Sequence, residues 1–425
     1  MDSFRIEGGR RLAGRIAVRG SKNAALPLLT TCLLTDAPCR YRGVPALRDV
    51  QTQVKILNTL GVETGWRGRQ IDAQVRDSYN VTAPYELVST MRASVLVLGP
   101  LVAKRGHARV SLPGGCVIGE RPVDLHLRGL EALGAEIHMD HGSLEARAPA
   151  GGLRGAEIYL GGTFGSSVTA TANVLMAAVL ARGTTVIECA ACEPEVVDLA
   201  DCLIAMGARI EGAGSPRIRI RGVRRLHGVD WRIIPDRIEA ATFVTLAAIT
   251  RSPLTISGCR PDHLLSFLHV MQRMGVQIER SRNSLTVRPP KRPRACDVVT
   301  LPYPAFPTDC QAQTMALASL AEGTSVITER IYPERFMHAA ELKRMGAQIS
   351  VANGQAVVSG VGQLQGASVM ASDLRASAGL VVAACAAKGE SLVRRVYHID
   401  RGYEQIEERL CRIGARIERV TEADT

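Results

Sequence analysis

Three stretches of the chain combine residue types able to move protons or hold anions. The first is Ser21-Lys22-Asn23-Ala24-Ala25-Leu26. It reads as a helix start with Ser21 as N-cap and Lys22 in the first turn, where unsatisfied backbone N–H groups and the helix dipole attract a phosphate or carboxylate. On pattern alone the plainer reading of Lys22 is exposed helix surface. The Gly14 to Gly20 spacing superficially evokes a phosphate-binding loop, but the order is Gly-Ser-Lys and not Gly-Lys-Ser/Thr, which rules out a nucleotide triphosphatase.

The second stretch runs from Pro113 to His126, with Gly114, Gly115 and Gly119 around Cys116 and with Arg121 close behind. Glycines at this density describe a loop, and a thiol beside a guanidinium and exposed N–H groups is a candidate nucleophile or proton carrier. The other ten cysteines read mostly as small core residues. Cys189 and Cys192 have no second pair to complete a zinc site, so neither metal nor redox use is expected of them.

The third is a late series: Phe306-Pro307-Thr308-Asp309, Ser372-Asp373-Leu374-Arg375 and His398-Ile399-Asp400-Arg401-Gly402-Tyr403. Each places charge at a turn after an apolar segment, where loops usually carry function. Asp309 and Asp373 fit equally well as N-caps of helices beginning at Cys310 and Leu374.

These stretches need a scaffold of some size. With 425 residues, 46% of them hydrophobic, the chain exceeds what one core usually holds, and two domains are expected. A formal charge of +11 favours anionic partners. Aromatic residues are only 4% and do not interleave with the basic ones, which argues against a nucleic-acid stacking platform. Eleven scattered cysteines and no apolar leader at the N-terminus fit a reducing cytoplasm. The longest uncharged stretch, 161 to 181, is too rich in Gly, Ser, Thr and Asn for a membrane span.

A sixfold repeat organises the whole. Leu60-Gly61-Val62, Leu133-Gly134-Ala135, Met206-Gly207-Ala208, Met274-Gly275-Val276, Met345-Gly346-Ala347 and Ile413-Gly414-Ala415 recur with glycines 73, 73, 68, 71 and 68 residues apart. In all but the first, degenerate at Glu63 to Gly65, a helical pattern precedes the glycine and strand-like alternation follows, as at a glycine C-cap. A second glycine signal runs in phase at Gly183, Gly323 and Gly389, each before a strand-like run. Units this long suit small α+β modules packed three to a domain, giving an α/β (α+β) protein of two similar domains. These glycines are architectural, not ligand-binding.

Ser21 to Ala25, the Pro113 to His126 loop, Glu193-Pro194-Glu195, Pro235-Asp236-Arg237-Ile238-Glu239, the Asp309 motif and the His398 to Gly402 motif, in this order, resemble the UDP-N-acetylglucosamine enolpyruvyl transferases over nearly the whole chain. The resemblance implies two inside-out α/β domains of three repeats each: 22–234, carrying the Cys116 loop, and 1–21 plus 235–425, with the active site in the cleft between them. It implies that the sugar 3-hydroxyl adds to phosphoenolpyruvate and that phosphate is then eliminated, with no metal and no organic cofactor. Lys22, Asn23, Arg121, Arg375 and Arg401 then match phosphoenolpyruvate ligands. Cys116 matches the general acid that can also form a covalent pyruvate adduct, and Asp309 the carboxylate set against the sugar hydroxyl as base or orienting acceptor. Arg92, Arg121, Pro122, Val123, Asp124, Leu125, Gly165, Ser166, Ser167, Val168, Asp309 and Ile331 match the UDP-sugar site, and Asp373 and Arg375 the contacts of domain closure. A cytoplasmic enzyme of peptidoglycan precursor synthesis follows, with two small-molecule substrates and no nucleic acid, membrane or protein partner.

The chain departs from that family at a few places. Gly165 aligns where many relatives carry Lys, Leu96 where Trp occurs, Arg48 where Lys is common, and Glu120 adds negative charge beside Arg121. The rival readings are an enolpyruvyl transferase for shikimate 3-phosphate or another uridine nucleotide, and a silent UDP-sugar-binding relative. The basic, proline-rich run from Arg288 to Arg294 reads as a solvated loop between strands.

Overall fold

The computed structural model describes residues 2–111, 123–140 and 142–421. They separate into two compact units, residues 20 to 234 and residues up to 19 together with 235 onward.

Each unit holds three four-stranded sheets of one design: a parallel pair at one edge, then two antiparallel neighbours. In the unit of residues 20 to 234 the first sheet orders Asp230–Arg232, Cys39–Arg42, Gln70–Val75 and Val62–Arg67. The second orders Thr82–Ala83, His107–Ser111, Ser143–Arg147 and Glu136–Asp140, and the third Glu157–Tyr159, Thr184–Glu188, Arg217–Arg221 and Arg209–Glu211. The other unit repeats the pattern with Gly14–Ala17, Leu254–Ser257, Ser284–Arg288 and Gln277–Ser281. Val298–Thr300, Thr324–Glu329, Gln355–Ser359 and Gln348–Ala352 follow. Its last sheet is Ser368–Met370, Glu390–Arg394, Asp2–Glu7 and Arg416–Thr421. The first strand of the chain therefore fills the place that the second hairpin strand takes in the other five sheets.

Three helices in each unit are buried nearly all round, which an α-helix tolerates only when almost every side chain is apolar or small. Arg237–Ile249 is buried at every position, as is Gln311–Ala318, and Leu374–Ala386 is buried from Arg375 to Cys385. Lys22–Thr30, Leu98–Arg105 and Val168–Ala178 are their counterparts. Glycine lets these helices touch: a Cβ at Gly99 would lie 2.3 Å from the carbonyl oxygen of Asn173, and one at Gly379 would lie 3.0 Å from that of Ala312. The remaining longer helices are one-sided, and each ends at a repeat glycine. Gly61, Gly134, Gly207, Gly275, Gly346 and Gly414 all have positive φ, between 79° and 102°, the left-handed conformation that closes a helix C-terminus at least cost with glycine. The first copy, degenerate in sequence, still forms a full strand, with Val62–Arg67 paired along its length to Gln70–Val75.

The two chain passages between units are fastened inside each unit. The N–H of Asp236 donates to the Arg19 carbonyl at 2.8 Å, and that of Ser21 to the Ile234 carbonyl at 2.8 Å. Buried Glu239 accepts from the Arg19 N–H at 2.6 Å and from Arg409 Nη1 at 2.5 Å. Seven of the ten described cysteines are buried as core residues, and Cys411 is exposed. The run from Arg288 to Arg294 joins two strands and is largely exposed. Among the described residues no helix is long and apolar enough to cross a membrane.

Candidate functional site

The expected site residues fall into two groups, one in each unit. Cys116, Arg121 and Pro122, with Glu120, lie outside the described residues.

In the unit of residues 20 to 234, Ser21 caps the helix Lys22–Thr30, its Oγ accepting from the Ala24 N–H at 3.3 Å. Lys22 is not on an exposed surface as its pattern suggests. It is 9% exposed, and its Nζ lies 2.7 Å from Asp49 Oδ2. This helix is one of the buried three, and its neighbour Arg48–Thr59 supplies the carboxylate from its first turn. Asn23 stands beside it, half-buried, while Arg48 is exposed and Leu96 is core.

The segments around Leu125 and Gly165 meet. Gly161–Gly162 and Gly165–Ser166 form a tight hairpin turning at Thr163-Phe164, and Gly165, which opens the second strand, has φ 94°. Leu125, in the first turn of the helix Asp124–Ala132, reaches within 3.2 Å of where a Gly162 Cβ would stand. Arg128 Nη1 donates to the Gly161 carbonyl at 3.2 Å, and Ser167 caps Val168–Ala178 by accepting from the Ala170 N–H at 3.3 Å. Val123 sits at the N-cap position of the Asp124–Ala132 helix without a side-chain cap bond.

Behind these segments lies a buried histidine whose part the sequence does not reveal. Asn173 Oδ1 accepts from the Gly99 N–H at 2.7 Å, which leaves its Nδ2 to donate to the Val95 carbonyl at 3.2 Å and to His126 Nδ1 at 3.0 Å. His126 Nε2 must then carry the ring proton and donate to Thr169 Oγ1 at 3.2 Å. Burial, with the charge of Arg92 adding to it, holds the His126 pKa down at about 4. The neutral ring thus ties the start of the Asp124–Ala132 helix to the start of Val168–Ala178, close to Arg92.

In the other unit the late motifs converge on Asp309. This residue does not cap a helix. It lies inside a short 3-10 turn, Thr308–Cys310, and its carboxylate is held by two guanidinium groups: Arg335 Nη1 at 2.9 Å from Oδ1 and Arg375 Nε at 3.3 Å from Oδ2. Asp373 does cap, accepting from the N–H groups of Arg375 at 2.8 Å and Ala376 at 3.1 Å, and Arg335 Nη2 stands 3.9 Å from it. Arg375 Nη1 donates to the Tyr403 hydroxyl at 3.3 Å, which also pairs with Thr242 Oγ1 at 2.8 Å. Arg375 Nη2 is buried with no hydrogen-bond partner among the described residues.

Arg401 closes the 3-10 segment Val396–Arg401, and Gly402 follows because a Cβ there would strike Leu374 Cδ1 at 2.4 Å. The loop therefore packs on the start of the helix that carries Arg375. Burial, followed by the charge of Arg401, lowers the His398 pKa. Burial lowers the His338 pKa, with Asp373 opposing and Arg335 assisting. Burial works against the Arg335 charge, but Asp309, Asp373 and Glu329 outweigh it and hold its pKa above the ordinary value. Ile331, half-buried, donates its N–H to Glu329 Oε1 at 2.8 Å.

Arg335 is the residue that sequence reasoning missed. The turn Pro333-Glu334-Arg335 follows an apolar strand just as the three chosen motifs do, so the same criterion selects it. The whole arrangement is one of buried cations around a carboxylate that stays 27% exposed, suited to binding a multiply charged anion beside a hydroxyl. Among the described residues no cluster of three or more His, Cys, Asp or Glu is placed to hold a metal ion.

A family profile described as EPSP synthase (3-phosphoshikimate 1-carboxyvinyltransferase) matches residues 6–410. A protein of Desulfosudis oleivorans called UDP-N-acetylglucosamine 1-carboxyvinyltransferase is 52% identical over 421 residues, which is 99% of this chain and 100% of that one. A Rhodospirillum centenum protein of the same name is 52% identical over 437 aligned residues, covering both chains entirely. The crystal structure of the enolpyruvyl transferase NikO from Streptomyces tendae superposes with a TM-score of 0.90 at 26% identity, covering 99% of each chain. EPSP synthase from Acinetobacter baumannii, at 17% identity and TM-score 0.75, shares the fold over 99% of this chain and 100% of its own.

Proposed function

Because the chain belongs to the UDP-N-acetylglucosamine 1-carboxyvinyltransferases, within the wider EPSP synthase family, we propose that it transfers the enolpyruvyl group of phosphoenolpyruvate to the 3-hydroxyl of UDP-N-acetylglucosamine. The observation that carries this reading beyond the likeness is Asp309, gripped on both carboxylate oxygens yet 27% exposed. Such a group is oriented and still able to meet a substrate hydroxyl.

The sugar oxygen bonds to C2 of phosphoenolpyruvate while a proton adds to its methylene, giving a tetrahedral species that keeps the phosphate. Return of a proton from the new methyl group to the Cys116 thiolate and cleavage of the C2–O bond to phosphate then restore the double bond. Asp309 accepts the hydroxyl proton or orients it. Cys116 is the proton donor to the methylene and the thiol able to form the pyruvate adduct. Lys22, Asn23, Arg121, Arg375 and Arg401 take the phosphate and carboxylate, with planar guanidinium forks matching both. Arg92, Pro122 to Leu125, Gly165 to Val168 and Ile331 take the UDP-sugar. Both groups of residues serve this one reaction, and Asp373 serves with Arg375 in closure. We place the enzyme in the cytoplasm, at the first committed step of peptidoglycan precursor synthesis and hence of cell-wall growth and division.

The test is phosphate release from phosphoenolpyruvate with UDP-N-acetylglucosamine, shikimate 3-phosphate or UMP, using wild type and Cys116→Ala. Release with the UDP-sugar alone, lost in the variant, supports the reading and the thiol's role. Activity only with another acceptor moves the chain to a sister branch, and no release with any acceptor leaves a silent binder.

A further inference from the structure

Asp309 is held by a chain of buried and half-buried groups that begins two residues before Ile331. Glu329, 2% exposed, ends the strand Thr324–Glu329. Its Oε1 accepts from Thr300 Oγ1 at 2.6 Å and from the N–H groups of Ile331 at 2.8 Å and Tyr332 at 3.0 Å. Its Oε2 accepts from Thr308 Oγ1 at 2.9 Å, and that hydroxyl in turn accepts from Arg335 Nη1 at 3.0 Å. The same Nη1 donates to Asp309. One carboxylate thus fixes the backbone of the segment bearing Ile331 and Arg335, and also the hydroxyl next to Asp309.

The fold does not require glutamate at this place. Counting six residues from the in-phase glycines Gly183, Gly323 and Gly389 gives Cys189, Glu329 and Arg395. Cys189 and Arg395 have φ of 58° and 59°, whereas Glu329 has no such left-handed backbone. In two sister modules that position thus lies just past the strand, with another residue in another conformation. Glu329 is a local device of the module that carries Asp309 and Ile331.

We propose that Glu329 and Thr308 are positioning residues, acting through Arg335 to aim the Asp309 carboxylate and to set the Ile331 segment for the sugar-nucleotide acceptor. The inference rests on the function proposed above. Neither residue reacts, and their effect is geometric, because a carboxylate displaced by a fraction of an ångström loses its alignment with the acceptor hydroxyl.

Steady-state kinetics of the full chain, with phosphoenolpyruvate and UDP-N-acetylglucosamine, test this in Thr308→Val, Thr308→Ser and Glu329→Gln beside thermal unfolding. Thr308→Val keeps the shape and deletes the hydroxyl, so kcat falls about tenfold or more while KM for phosphoenolpyruvate moves less than about twofold. Thr308→Ser restores kcat to within about threefold of wild type. Glu329→Gln, where it folds, lowers kcat in the same sense. An active wild type with an unimpaired Thr308→Val overturns this inference alone, as does a serine variant no better than valine. A wild type inactive with the UDP-sugar overturns the functional reading and this inference with it.

Discussion

The ammonium of Lys22 lies 2.7 Å from the carboxylate of Asp49, and both side chains are buried. Taking away one partner of a buried pair leaves the other charge without that compensation, at a cost of about 3 kcal/mol or more. Asp49→Ala is therefore expected to lower the unfolding free energy by about that amount in a urea titration. A change no larger than about 0.5 kcal/mol, typical of surface substitutions, would mean that the pair has no such weight.

Helix contact through glycine gives a second prediction. A methyl at Gly99 would sit 2.3 Å from the Asn173 carbonyl oxygen, so the two buried helices would have to part. Overpacking of this kind costs about 1–3 kcal/mol. Gly99→Ala should lower the thermal midpoint clearly, and Gly379→Ala, with its Cβ 3.0 Å from the Ala312 oxygen, should lower it less. Equal midpoints for the two variants would show that the helices reseat freely.

Acid stability follows from two buried histidines. The folded pKa of His126 is about 4, below the ordinary histidine value of 6.5, and burial lowers that of His338 as well. Between those values the unfolded chain binds the proton and the native chain does not, so stability is full above 6.5 and falls with pH down to about 4. By pH 5 His126 accounts for a loss of about 2 kcal/mol, and His338 acts in the same direction. Asp198 runs the other way: burial raises its pKa from 3.8 to about 6, so the native state gains from its protonation over that window. Comparing His126→Gln with wild type isolates the histidine. The variant's urea stability should decline less between pH 7 and pH 5, and parallel declines would refute the assignment.

Much of this architecture is legible because the repeat glycines answer a backbone demand. Gly61 through Gly414 all take positive φ, so their spacing in sequence marks helix ends directly. Asp373 is a cap, as one of its two sequence readings has it, because its carboxylate reaches N–H groups two and three residues on. Such local pairings can be read from a short stretch. Asp309 could not be settled that way, since its partners Arg335 and Arg375 are 26 and 66 residues distant. Lys22 misled for the same reason: only the burial of its whole helix against the one bearing Asp49 shows that its charge is internal. His126 looked like the end of a loop motif, and its role appears only once Asn173 has packed under it.

Arg375 offers the sharpest test of anion binding in its unit. Its side chain is 2% exposed; Nε faces Asp309 at 3.3 Å, Nη1 faces the Tyr403 hydroxyl at 3.3 Å, and Nη2 is buried without a partner among the described residues. Lysine carries the same charge but not the fork, so Arg375→Lys cannot keep both internal contacts and still present a donor to phosphoenolpyruvate. A charge-assisted hydrogen bond is worth about 1.5–3 kcal/mol, so kcat/KM for phosphoenolpyruvate should fall about ten- to a hundredfold. Tyr403→Phe removes only the hydroxyl on the inner side of the guanidinium, which Thr242 also pairs with at 2.8 Å, and should cost less than about fivefold. Steady-state kinetics on folded protein distinguish the two. If the tyrosine variant lost as much as the lysine variant, the arginine's contribution would be its internal support and not its third nitrogen.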